Sequence, residues 1–124
     1  MYIRAVTASD ANALSAFFGA IPEGDRMFFK EDVLDPDVVG GWTTGDQRGW
    51  RLLGLGDDGV VGYVAALPGL GWSSQVGELR LVVAPGHRRR GVGRDLARRG
   101  LMVLAHHVME RWADLATIGI AADA

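Results

Sequence analysis

The stretch Glu78-Leu79-Arg80-Leu81-Val82-Val83-Ala84-Pro85-Gly86-His87-Arg88-Arg89-Arg90-Gly91-Val92-Gly93-Arg94-Asp95-Leu96 decides the reading of this chain. Leu79, Leu81 and Val83 alternate with Glu78, Arg80 and Val82, the period of a strand. Pro85-Gly86 stops the strand, because proline cannot donate to a ladder. A basic turn follows, and Leu96 and Ala97 begin a helical pattern near Gly91. A helix that opens directly after a strand presents unpaired N–H groups and a partial positive charge. Gly91 and Gly93 carry no side chain to block an approaching anion. Arg88, Arg89 and Arg90 add mobile positive charge. These parts together predict a phosphate cradle.

Other phosphate motifs fit worse. A P-loop needs lysine and then Ser or Thr after its last glycine, and Arg94-Asp95 stands there. A dinucleotide fingerprint needs a third glycine where Leu96 is found.

Upstream, Tyr2–Val6 is apolar-rich and predicts a first strand. Thr7-Ala8-Ser9-Asp10 has the form of a capping box, with Asp10 reaching back to Thr7. Leu14, Phe17, Phe18 and Ile21 follow at helical spacing, and Pro22 and Gly24 close that helix. A second helix is expected over Arg26–Leu34. A third is expected from Asp35-Pro36, with Asp35 as cap and Gly40-Gly41 as its end. Trp50–Leu55 and Val60–Leu67 flank Asp57-Asp58-Gly59 and predict a hairpin. Pro68–Ser74 reads as a loop, and Val76–Val83 as the strand that enters the basic turn. The order is that of an α+β or mixed α/β fold with helices on the faces of a sheet.

Composition sets the outer bounds. A chain of 124 residues with 48% hydrophobic content forms one domain, 1–124, with a real core. Its formal net charge is −2, so it is not a protein that coats nucleic acid with its whole surface. Acidic residues crowd the first half and arginines the stretch from Arg80 to Arg99, a pattern that points to a local anion site. With no cysteine, thiolate metal sites and sulfur nucleophiles are excluded. His106 and His107 are adjacent, a spacing that does not suit a shared metal, and no metal is expected. No apolar signal core opens the sequence and no apolar run would span a bilayer, so a cytoplasmic protein without membrane contact is expected.

Arg88-Arg89-Arg90-Gly91-Val92-Gly93, between the Val-Ala-Pro strand end and a helix, resembles the acyl-CoA signature Q/R-x-x-G-x-G/A of the GNAT acyltransferase superfamily. Thr7–Asp10 after an Ile-Arg strand, and Asp57-Asp58-Gly59 running into Val61-Gly62-Tyr63-Val64, are similar to other parts of that family. The resemblance covers roughly the first four-fifths of the chain. It implies a central, mostly antiparallel sheet flanked by helices. It also implies acetyl-CoA or another acyl-CoA as co-substrate and direct attack on the thioester by a primary amine. Amides from Arg89, Arg90, Gly91, Val92, Gly93 and Arg94 would hold the pyrophosphate. Leu81, Val82 and Val83 would pair with the pantetheine arm, and an N–H near Val83 would polarise the thioester carbonyl. Glu78 is the candidate base, working through a water.

The tail departs from the family. GNAT domains continue with a further strand and a helix that often carries a tyrosine acid, and the tyrosines here are Tyr2 and Tyr63. Gly100 is read as a helix C-cap, Leu101–Val108 as a strand and Met109–Gly119 as a short helix. The fold is then truncated or internally shortened. The competing reading is one long helix to about Leu115 and a strand at Thr117–Ala122. Either version leaves strand edges exposed, and a homodimer is expected.

The competing functions are a catalytically silent CoA-binding remnant and an arginine-rich nucleic-acid module. The negative charge and the lack of stacking aromatics near Arg88 disfavour nucleic acid. Trp42, Trp50 and Trp112 are expected to pack, and Trp72, in its loop, is a candidate to touch an acceptor. Asp25, Glu31 and Asp32 would attract a cationic amine if they faced it; otherwise they belong to solvated helix faces.

Overall fold

The computed structural model describes residues 1–26, 29, 31–43, 49–68 and 77–117, without the side chains of 108 and 110–117. Its elements, in chain order, are β1 (Tyr2–Ala5), a 3-10 turn (Ala8–Asp10), α1 (Ala11–Ala20), α2 (Glu23–Arg26) and α3 (Pro36–Trp42). Strands β2 (Trp50–Gly56), β3 (Gly59–Pro68) and β4 (Gly77–Val83) follow. A 3-10 turn (Pro85–His87) then leads into α4 (Val92–Thr117).

The four strands form an antiparallel sheet in the order β1-β2-β3-β4. Two layers cover it. Leu53, Tyr63, Ala65 and Val82 face α1 and α3, where they meet Leu14, Phe17, Phe18, Val39 and Trp42. Leu52, Val64 and Val61 face α4 through Val92 and Leu96. The β2–β3 register shifts at Gly54/Leu55, which leaves Val61 unpaired with β2 as a bulge. The first layer is built on aromatic contacts. Tyr63 stacks on Trp42 at 5.4 Å and meets Phe18 edge-on at 5.3 Å. Burial pushes the Tyr63 hydroxyl well above its ordinary range. Arg51 lies over the Trp42 ring, 4.9 Å from its centroid.

The capping box is present. Asp10 is buried and its carboxylate accepts the Thr7 N–H at 2.7 Å. It also takes two bonds from Arg4, each of 2.8 Å, so β1 is tied to the start of α1. Those bonds hold the Asp10 carboxyl well below the usual carboxylate range.

Three expectations are corrected. The first is the break at Gly100. Helix α4 runs unbroken through it to Thr117, so the strand at Leu101–Val108, and with it the internal shortening, does not exist. Gly100 is there because helix and sheet approach closely: a Cβ on it would lie 2.9 Å from Leu79 Cδ2 and 3.3 Å from Val64 Cγ2. The second is the helix expected over Arg26–Leu34. Helix α2 is Glu23–Arg26; of the described residues further along the expected span, Phe29, Glu31 and Asp32 are not helical, and Val33 and Leu34 lie in a turn. The third is the stop at Gly40-Gly41. Helix α3 passes through both and ends at Trp42, whose burial against Tyr63 and Phe18 holds the extra turn. The strand Thr117–Ala122 of the competing reading, the loop with Trp72, and Phe28 lie outside the described residues.

Candidate active site

The site is built where β4 hands the chain to α4. The pairing along β4 fixes which of its backbone groups are free. The Ala84 N–H donates to the Val61 carbonyl at 2.9 Å. In an antiparallel ladder, hydrogen-bonded positions alternate. Val82 and Arg80 therefore turn their N–H and C=O towards β3, while Leu81 and Val83 turn theirs outward, along the other edge. The observed geometry agrees, since the Val83 carbonyl accepts a side-chain bond from Arg88 Nε at 3.1 Å. Val83 and Leu79 put their side chains against the α4 layer, and Val82 belongs to the opposite layer.

After Val83 the chain turns through Pro85–His87 and then through two left-handed residues, Arg89 at φ 64° and Gly91 at φ 84°. A left-handed arginine costs about 1–2 kcal/mol. Left-handed residues in a turn let successive N–H groups converge on one point. The Asp95 N–H closes the first helical bond, to the Gly91 carbonyl at 3.0 Å. Among the described residues, no backbone acceptor meets the amides of Arg89, Arg90, Gly91, Val92, Gly93 and Arg94 at good hydrogen-bond geometry, although the turn over 88–91 brings carbonyls near them. Six consecutive donors without a close acceptor, at the positive end of a 26-residue helix, are what an anion receptor requires.

The two glycines serve different ends. Gly91 needs its positive φ, and a Cβ there would also meet the Arg94 guanidinium at 3.2 Å. Gly93 needs closeness rather than an unusual backbone. Its missing Cβ would stand 3.5 Å from Val83 Cγ2 and 3.8 Å from Leu81 Cδ2, so the first turn of α4 sits directly against the end of β4.

Beside this turn lies a groove of about 270 Å³, lined by Asp25, Leu81, Val82, Val83 and Arg88. Four of the residues expected from the sequence thus share one concavity. The fifth, Asp25, comes from α2, and its carboxylate takes a 2.6 Å bond from the Arg88 guanidinium. The sequence marked Asp25 as a possible attractor of cations. It held no sign that Asp25 meets Arg88, 63 positions away.

Glu78 stands apart. It lies five residues before Val83, about 16 Å away at the rise of a strand. Its carboxylate is bonded to Arg80 at 3.0 Å, and Arg80 also pairs with Glu31 across to the helical layer. Arg89 and Arg90 are exposed. No group of three or more His, Cys, Asp or Glu able to hold a metal occurs among the described residues. No helix among them is long and apolar enough to cross a membrane.

Comparisons with known proteins bear on the same region. Residues 15–121 match the family model of the acetyltransferase (GNAT) family. No curated protein sequence matches the chain. Among solved structures, the ribosomal-protein-alanine N-acetyltransferase from Brucella melitensis superposes with a TM-score of 0.65 at 24% identity, over 90% of this chain and 68% of that one. A GNAT family acetyltransferase from Brucella melitensis, in complex with acetyl-CoA, gives 0.63 at 23% identity, over 85% and 68%. The GNAT domain of S. lividans PAT gives 0.71 at 20% identity, over 85% and 65%. At such identities the likeness is one of fold, and the chain spans about two thirds of the length of these structures.

Proposed function

The chain belongs to the acetyltransferase (GNAT) family, and from that footing we propose that it binds acetyl-CoA, or another acyl-CoA, and passes the acyl group to a primary amine. The run of six unbonded amides from Arg89 to Arg94 carries this reading. A diphosphate is the part of CoA that such a run suits, being anionic and rich in acceptor oxygens. The solved relative in complex with acetyl-CoA supports the same ligand.

The outward N–H and C=O groups of Leu81 and Val83 can pair with an extended amide-bearing arm as a neighbouring strand would. The Val83 N–H, at the end of that edge, would stabilise the negative charge that builds on the thioester oxygen during attack. The nitrogen of the amine forms its bond to the acyl carbon, the carbon–sulfur bond breaks, and the thiolate leaves with CoA. The proton lost by the amine goes to solvent, with Glu78 as a relay at the far end of β4. The acceptor belongs to the class of amines. An aminoglycoside 6'-N-acetyltransferase and ribosomal-protein acetyltransferases stand among the structural neighbours, and they support that class without choosing within it.

Thermal unfolding in parallel with acetyl-CoA, CoA, NAD and ATP tests the reading. A rise with the CoA compounds alone supports it, and equal rises with all four refute it. A catalytically silent CoA-binding protein is separated by release of thiol from acetyl-CoA in the presence of amines. Among the described residues the outer edge of β1 has no neighbouring strand, which supports a homodimer. Light scattering at micromolar concentration checks it, and a monomer would refute it. We place the enzyme in the cytoplasm, where acyl-CoA would be its partner; fractionation of cells is the check.

A further inference from the structure

Arg88 is the first residue of the acyl-CoA signature, and its guanidinium is engaged across the groove. Nε holds the Val83 carbonyl at 3.1 Å, and a terminal nitrogen holds the Asp25 carboxylate at 2.6 Å. Both acceptors lie in the groove of about 270 Å³, and among the described residues Asp25 is the one acid that lines it. Because one guanidinium reaches both, the carboxylate and the Val83 carbonyl are no more than about 8 Å apart. Asp25 therefore stands beside the strand end where the proposed reaction occurs, at about half the distance of Glu78.

The pair is held loosely. The Arg88 side chain is 42% exposed and that of Asp25 34%, so water screens their attraction. An incoming diphosphate carries more charge than one carboxylate and would arrive at the amide of the very next residue, Arg89. Arg88 would then turn to it, and Asp25 would be left in the groove with an uncompensated negative charge. Resting on the acyl-CoA site proposed above, we infer that Asp25 receives the ammonium group of the acceptor, and that Arg88 screens it until a diphosphate draws the guanidinium away.

The identity of the acceptor is not needed to test this. Two thioethers of CoA serve as probes, S-(2-aminoethyl)-CoA and S-propyl-CoA. They match in length and shape, and differ in ending on an ammonium or a methyl group. Isothermal titration calorimetry at 50 mM salt gives their affinities, and that of CoA, for the wild-type chain, Asp25→Asn and Asp25→Ala. The wild type should prefer the amino probe by about tenfold, as expected for one ion pair shielded from bulk water. Both variants should bind the two probes within twofold of each other. They should also bind CoA itself about two- to fivefold more tightly, because the carboxylate that competes for Arg88 is gone. A wild type without the preference, variants that retain it, or CoA affinities equal in all three chains would each overturn the inference. If the wild type binds none of the three compounds, the acyl-CoA reading falls and the inference falls with it.

Discussion

Replacing Gly93 by aspartate puts a carboxylate at the mouth of the amide cradle without harming the fold. Gly93 has no positive φ, and its built Cβ meets Val83 and Leu81 at 3.5 and 3.8 Å, ordinary contact distances. It is the second residue of α4, where an acidic side chain favours the helix N-terminus. The unliganded variant should therefore be as stable as the wild type or slightly more so. Binding is another matter. Two unit charges about 5 Å apart repel by about 0.8 kcal/mol in water and about 3.3 kcal/mol at an effective dielectric of 20. A diphosphate presents two charges, so the penalty is at least about 1.7 kcal/mol, or roughly 17-fold in Kd. Acetyl-CoA at 100 times the wild-type Kd adds about 2.7 kcal/mol to the folded state. For a chain of 124 residues that is a rise in Tm of about 10 °C. In Gly93→Asp at the same concentration the rise should fall to about 4 °C or less. The assay is thermal unfolding at 50 mM salt, with Gly93→Asn as the uncharged partner of equal size. Gly93→Asp retaining a rise within 2 °C of the wild type would refute the reasoning.

Other substitutions probe the frame that holds the site. Asp10→Asn should cost about 1–3 kcal/mol at pH 7, since it removes a charge-assisted pair with Arg4. The Asp10 carboxyl is depressed in the folded state, so its contribution is complete above the unfolded value of about 4 and disappears as pH falls through the lower folded value. Urea unfolding at pH 7 and pH 3 should show the gap between wild type and variant shrinking with acid, and a gap that widens would contradict the assignment. Gly62→Ala should lower stability by about 1–3 kcal/mol, because its Cβ would meet Leu96 Cδ1 at 2.5 Å and Val92 Cγ1 at 3.2 Å. Combined with Leu96→Val, which trims the side chain being struck, it should cost less than the sum of the two single changes; strict additivity would show that α4 does not rest on Gly62.

The parts legible in the sequence are those set by short-range pattern. The hairpin around Asp57-Asp58-Gly59, the alternation that ends at Val83 and the basic turn into α4 all appear where the residues indicate. The Thr7–Asp10 box does too, because a capping motif spans only four positions. What misled was glycine used for packing. Gly100 has the look of a helix stop, and Leu101–Val108 the apolar density of a strand. The structure uses the same residues with a helical period: Gly100 and Leu104 face the sheet, while Leu101, Met102 and Ala105 face outward. Local pattern could not separate the two, because the closeness of Leu79 and Val64 to Gly100 is a fact of tertiary structure. Gly40-Gly41 misled for a different reason: a Cβ on Gly40 would meet nothing within 4 Å, and the burial of Trp42 one residue later holds that turn. The run of donors proposed as a cradle was legible because those residues are consecutive in the chain. Asp25 opposite Arg88 was not, because nothing local joins α2 to the turn before α4.

A crystal structure with acetyl-CoA measures the contested quantity itself, the distance from the diphosphate oxygens to the amide nitrogens between Arg89 and Arg94. Several of these should fall at 2.7–3.2 Å, the span of an N–H···O bond. A diphosphate seated elsewhere, with those nitrogens still unbonded or turned to water, would contradict the account.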